Sequence, residues 1–94
     1  MKIVWTPRAR RQLIKIRSYI AHDNPYASDQ VVIRILSATG RLELFPNIGY
    51  ASDRTNIRLL QVTGLPYVLT YRVFDDGIDI LSVFDQRRDP EDLI

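Results

Sequence analysis

The sequence predicts an α+β fold: a short N-terminal strand, a helical hairpin, then a three-stranded antiparallel meander forming one sheet packed on the helices. Three observations carry that prediction. Two consecutive stretches repeat apolar residues at helical spacing and are parted by Asn24-Pro25. The second half changes to strand-like runs, first around Ile57 to Val62, then Tyr67 to Phe74, then Ile78 to Phe84. Between the last two stands Asp75-Asp76-Gly77, a turn sequence suited to a tight hairpin.

Each element has a local reason. Lys2 to Trp5 reads as the opening strand, with Ile3 and Trp5 on one side. Thr6-Pro7 starts the first helix, since Thr6 can cap it and proline at the first helical position lacks only an N–H that is not needed there. Ala9, Leu13, Ile16 and Ile20 then form one stripe of a helix reaching about Ala21, while Arg8, Arg11, Lys15 and Ser18 occupy the opposite face. Asp23-Asn24-Pro25 ends it, because the residue before proline avoids helical backbone. The second helix is expected from Pro25 to about Phe45, with Ala27, Val31, Ile35, Ala38, Leu42 and Phe45 as its stripe, widened by Val32 and Leu36. A short connection makes the two helices antiparallel. A polar loop to about Asn56 follows and is expected to pack loosely. In the last hairpin, both central turn positions are expected at positive φ.

Strict alternation puts Tyr67, Leu69, Tyr71 and Val73 on one face of the middle strand, with Val68, Thr70, Arg72 and Phe74 on the other. In the last strand it sets Ile78, Ile80, Ser82 and Phe84 against Asp79, Leu81, Val83 and Asp85. Both faces are partly apolar, so one side of the sheet is expected to be covered and the other half-covered.

Length and composition exclude several classes. At 94 residues the chain is expected to form one domain over 1–94 with a modest core. There is no cysteine and only His22, so disulfides, thiolate chemistry and a Cys/His zinc site are excluded; an Asp/Glu metal cluster stays open in principle, but no pair of carboxylates has motif spacing, and no metal or other cofactor is expected. No run reaches membrane-spanning length, and Met1 to Trp5 is too short for a signal peptide; a cytoplasmic location with no membrane association is expected. The formal charge is only +2, yet arginines number 11 against two lysines. A planar, permanently charged fork suits phosphate or carboxylate partners.

The spacing of several fragments adds a family. Trp5-Thr6-Pro7-x-Ala9, Ile16-x-x-Tyr19-Ile20 and Asn24-Pro25-x-Ala27 are followed by Leu42-x-x-x-Pro46. Then come Arg58-x-Leu60-x-Val62-x-Gly64-x-Pro66-Tyr67, Tyr71-Arg72-Val73 and Arg87-Arg88-Asp89-Pro90. In this order, from about Trp5 to Pro90, they resemble the RelE/ParE family of bacterial type II toxins, and the overall pattern looks closer to the ParE-like branch. The resemblance implies a growth-inhibiting toxin held silent in a hetero-oligomer with its cognate antitoxin. In the ParE branch the partner is DNA gyrase; in the RelE branch the toxin is a metal-independent endonuclease acting on mRNA in the ribosome. Asp85 stands where many relatives have histidine, which removes an acid–base group and would repel a phosphate.

Under the nuclease alternative, Arg58, Arg72 and Tyr71 are the catalytic candidates, with the guanidinium of Arg58 clamping the phosphate. The structural alternative for Arg58 is a pairing with Asp79 or Glu43. Arg72 is expected to be partly buried and partnered. Tyr67 and Tyr71 share a face, where packing is the commoner role. Arg87 and Arg88, with Arg58, are the candidates for contact with the target. Leu13, Ile16, Ile20, Val32 and Leu36 are the candidate antitoxin-binding residues. The arginines of the separate strands are expected to converge on the half-covered face.

Overall fold

The computed structural model describes residues 1–87. Its elements are β1 (Lys2–Trp5), α1 (Pro7–Asp23), α2 (Pro25–Arg41), β2 (Tyr50–Ala51), β3 (Ile57–Gln61), β4 (Tyr67–Val73) and β5 (Gly77–Asp85). The strands make one sheet in the order β1-β5-β4-β3-β2. Every pairing is antiparallel except that of β1 with β5, which is parallel. The expected strand, hairpin and meander are present. The sheet gains β2 from what the sequence suggests is a plain loop, and α2 stops at Arg41, short of the expected Phe45.

Asn24 alone makes the hinge between the helices. Its backbone N–H donates to the Ile20 carbonyl (2.9 Å), closing α1, and its Oδ1 accepts from the Ala27 N–H (3.1 Å), opening α2. At the helix crossing the buried Ser28 lets the helices come close, and its hydroxyl donates to the Arg17 carbonyl at 2.8 Å. The core lies between this hairpin and one sheet face. It combines Ala9, Ile35, Ala38 and Leu42 with Leu60, Leu69, Tyr71, Ile78, Ile80 and Val83 from the strands.

The last strand departs from simple alternation. Thr70 is paired with Ser82 but Tyr71 with Ile80, so Leu81 is an extra residue, a β-bulge. One added residue reverses the face of everything beyond it. Val83 therefore joins Ile78 and Ile80 in the core, and Ser82 and Phe84 do not, which corrects the face assignment made from the sequence. The start of α1 secures this segment. Strand β1 ends opposite Ile80, and past that point helical residues take over the edge of β5. The Thr6 N–H and hydroxyl both donate to the Ile80 carbonyl (3.1 and 2.9 Å), and the Val83 N–H donates to Gln12 Oε1 (2.9 Å).

The last hairpin also differs in detail. Gly77 has no positive φ; it begins β5, and a Cβ there would stand 2.7 Å from the Lys2 carbonyl oxygen. This glycine permits the close approach of β1, not an inverted turn. Positive φ is found instead at Gly64 and Asn56 among the described residues.

Replacing Gln12 by Ala leaves the Val83 N–H without its acceptor, an expected loss of about 1–3 kcal/mol. Urea unfolding of Gln12→Ala against the parent measures it; an unchanged midpoint would show that water replaces the amide fully.

Candidate functional site

Pairing register decides where each arginine lies. In the β3–β4 ladder Arg58 is opposite Tyr71, and Ile57 is opposite Arg72. Cross-strand partners share a face, so Arg58 is on the helix side with Tyr71, and Arg72 is on the open side. Arg87 follows the far end of β5, where Asp85 pairs with Tyr67. From there to the level of Arg72 is five residues of strand, about 16 Å. The three guanidinium groups do not converge, contrary to the expectation from the sequence.

Arg72 is exposed, and no ion pair with its neighbour Asp79 is present among the described residues. The expectation that it is buried and partnered is corrected: the helices cover the other face, so its charge keeps its water. Arg87 is bound by a nearby carboxylate. Its Nε and Nη2 donate to the two oxygens of Asp85 at 3.0 and 2.8 Å, and its backbone N–H donates to Oδ1 at 2.9 Å. The Asp85 side chain is only 16% exposed while that of Arg87 is 70% exposed, so the pair anchors the strand end and leaves the outer edge of the guanidinium in solvent. The Asp85 carboxylate holds the Arg87 pKa above its ordinary value through that hydrogen bond and its charge. Arg88 lies outside the described residues.

Arg58 and Tyr71 act together on Gly49. The Gly49 N–H donates to the Tyr71 phenol oxygen (2.9 Å), and Arg58 Nη1 donates to the Gly49 carbonyl (2.7 Å) and more distantly to that of Asn47 (3.4 Å). Neither Asp79 nor Glu43 serves Arg58, which corrects the pairing considered above. A side chain at Gly49 would bring a Cβ to 2.5 Å from the Leu59 carbonyl oxygen and 2.7 Å from the phenol oxygen. Only glycine fits. The segment expected to be loose is thus pinned, and β2 forms directly after the pin.

Tyr71 is 0% exposed. Burial raises its pKa above the ordinary 10.0, with the Gly49 N–H and the charge of Arg58 acting in the opposite direction. A phenol kept neutral, enclosed and already bonded to a backbone amide is badly placed to exchange protons with a bound substrate.

Next to the pin is an open groove of about 350 Å³ walled by Asn47, Arg54, Asn56, Arg58, Phe74 and Asp75. Arg54 and Arg58 put two cations on it without a carboxylate ion-paired to either among the described residues. Such a groove can hold an anionic group by charge-assisted hydrogen bonds. Sequence reasoning missed Arg54, because it is in the loop whose ordering depends on Gly49. It also missed an exposed apolar ridge, Leu44, Phe45 and Ile48, just before the pin. The run Leu44-Phe45-Pro46-Asn47-Ile48 is unusually apolar for a loop, and that was the available signal.

The candidate antitoxin residues divide. Leu13 and Ile16 are partly buried and pack against the core, on the α1 stripe they share with the buried Ala9. Ile20 and Val32 are half-buried, and Leu36 is exposed beside Ile33 on the outer side of α2. Among the described residues no group of three His, Asp or Glu could hold a metal ion, and no helix is long and apolar enough to cross a membrane.

A short N-terminal strand, a helical hairpin and an antiparallel meander on one sheet make up the RelE/ParE toxin fold. Residues 3–90 match the family described as ParE toxin of type II toxin-antitoxin system, parDE, and the chain belongs to that family. It is 38% identical over 82 residues to Putative toxin Y4kP of Sinorhizobium fredii, covering 87% of this chain and 84% of that one. It is 35% identical over 78 residues to Toxin RelE3 of Caulobacter vibrioides, covering 82% and 85%. In fold it resembles a chain of the chromosomal ParDE TA system from P. aeruginosa, with a TM-score of 0.79, 24% identity, and coverage of 90% and 95%.

Tyr71→Phe removes the acceptor of the buried Gly49 N–H and is expected to cost about 1–3 kcal/mol in urea unfolding at neutral pH. The folded-state pKa of Tyr71 is raised, so its contribution is complete below pH 10 and declines as pH rises through the folded value, because the unfolded chain ionises first. The difference between parent and variant is therefore expected to narrow above pH 10. A difference constant to pH 11 would contradict this.

Proposed function

We propose that this chain is a growth-inhibiting toxin that acts in the cytoplasm by binding DNA gyrase and is neutralised by a cognate antitoxin. The observation that carries the binding reading, over RNA cleavage, is the use of Tyr71: its phenol is committed to Gly49 inside the core. Cleavage by the 2′-hydroxyl needs a group to take a proton and another to give one, close to a cation that holds the phosphate. Here Arg58 and Arg72 are on opposite faces, Tyr71 is enclosed, and Asp85 is already paired with Arg87. Membership in the ParE family supports the same choice.

A binding toxin asks less of these residues. The groove with Arg54 and Arg58 offers two cations to an acidic surface of the target, and the exposed edge of Arg87 offers a third. Arg88 joins this set by its place in the sequence. Elsewhere the antitoxin covers apolar surface on the helices, with the exposed Leu36 and the half-buried Ile20 and Val32 as contacts. The hetero-oligomer is then the resting state of the toxin.

Controlled induction in bacteria tests the reading. DNA-damage signalling is expected to rise while protein synthesis continues, and purified protein is expected to inhibit supercoiling by gyrase. Immediate translational arrest with cut transcripts would instead establish the nuclease alternative. Unimpaired growth would reject both activities.

A further inference from the structure

Six of the chain's 13 lysines and arginines precede residue 23, and none of its 11 acids does. Five of those cations are on α1: Arg8, Arg10, Arg11, Lys15 and Arg17. At roughly 100° per residue, Arg8, Arg11 and Lys15 fall within a ~60° sector, centred about 130° from the inward-facing Ala9. Arg17 lies on the other flank, where Ser28 and Asp29 of α2 meet it; Arg17 and Asp29 approach to 3.9 Å. Arg8, Arg11 and Lys15 therefore form a ladder on the flank of α1 turned away from α2. All three residues are exposed.

This ladder works against the helix that carries it. The first turn of α1 has no acidic residue, although the helix dipole favours negative charge there. Arg8 with Arg11, and Arg11 with Lys15, are like-charge pairs at spacings where charges repel. Among the described residues Arg11 and Lys15 have no ion-pair partner. Helix stability alone would select the reverse arrangement, and a polyanion removes the repulsion. The rise from Arg8 to Lys15 is about 10 Å, a length over which a duplex carries about six phosphate charges along its axis.

We infer that this flank of α1 binds the phosphate backbone of double-stranded DNA without regard to sequence. It is separate from the groove at Gly49 and independent of the proposed action on growth. The contact is electrostatic, made by a rigid ladder of cations, and contains nothing that would read a base edge.

Fluorescence anisotropy of a labelled random-sequence duplex with the full-length chain, over a range of salt, tests this. Three neutralised phosphates give a slope of about −2.7 in log affinity against log salt, or about 40-fold weaker binding at 200 mM than at 50 mM. The double variant Arg11→Gln/Lys15→Gln is expected to reduce that change to about 3- to 4-fold. Arg72→Gln, on the open sheet face, is expected to bind like the parent, and matched melting temperatures check that all three proteins are folded. Poly-glutamate at equal charge concentration is expected to compete at least tenfold less well than unlabelled duplex. Absence of binding at 50 mM, equal salt dependence in parent and double variant, or equal competition by poly-glutamate would each overturn the inference. The last would mark the ladder as a surface for acidic proteins.

Discussion

The segment of β5 past Ile80 is where sheet and helices are joined. Strand β1 is too short to cover it, and the backbone on that side would be left without partners. Thr6 and Gln12 supply them from the first turns of α1, so one short stretch of sequence ends a strand, caps a helix and completes a sheet edge. This docking fixes the position of α1, and with it the inward direction of Ala9, Leu13 and Ile16. The Leu81 bulge belongs to the same arrangement: with Leu81 unpaired, Val83 turns into the core beneath the helix. Without the bulge the polar Ser82 would take that place.

Register has a comparable influence on the charged residues. Residues 62–66 join β3 to β4, and the register they set pairs even positions with odd ones. Arg58 and Arg72, both even, are thereby sent to opposite faces. A register shifted by one residue would have put them on the same face. The difference between a gathered and a dispersed set of guanidinium groups thus depends on one turn, whose conformation requires the positive φ of Gly64.

The pin at Gly49 shows how a buried polar pair can order a surface. Tyr71 and Arg58 are cross-strand neighbours, and each takes one of the two backbone hydrogen-bonding groups of the same glycine. The phenol satisfies a buried N–H, and the guanidinium places its charge beside a carbonyl at the rim of the groove. Their shared duty holds the apolar ridge at Leu44, Phe45 and Ile48 on one side of the pin and Arg54 on the other. Residues that would suit catalysis by type are engaged here in hydrogen bonds to backbone.

Much of the fold was legible in the sequence because it depends on local chemistry. The helix periodicities, the cap at Thr6, the break at Asn24-Pro25, the strand runs and the order of elements all follow from neighbours within a few residues. The family resemblance was legible for the same reason, being carried by motifs at fixed spacing. What the tertiary structure alone decided was which face each strand residue takes past Leu81, the partners of Arg58, the partner of the Tyr71 phenol and the ordering of the loop at Gly49. Each of these results from contact between segments distant in the chain, where a shift of one residue or a collision of a few tenths of an ångström changes the outcome while the local pattern of the sequence stays the same.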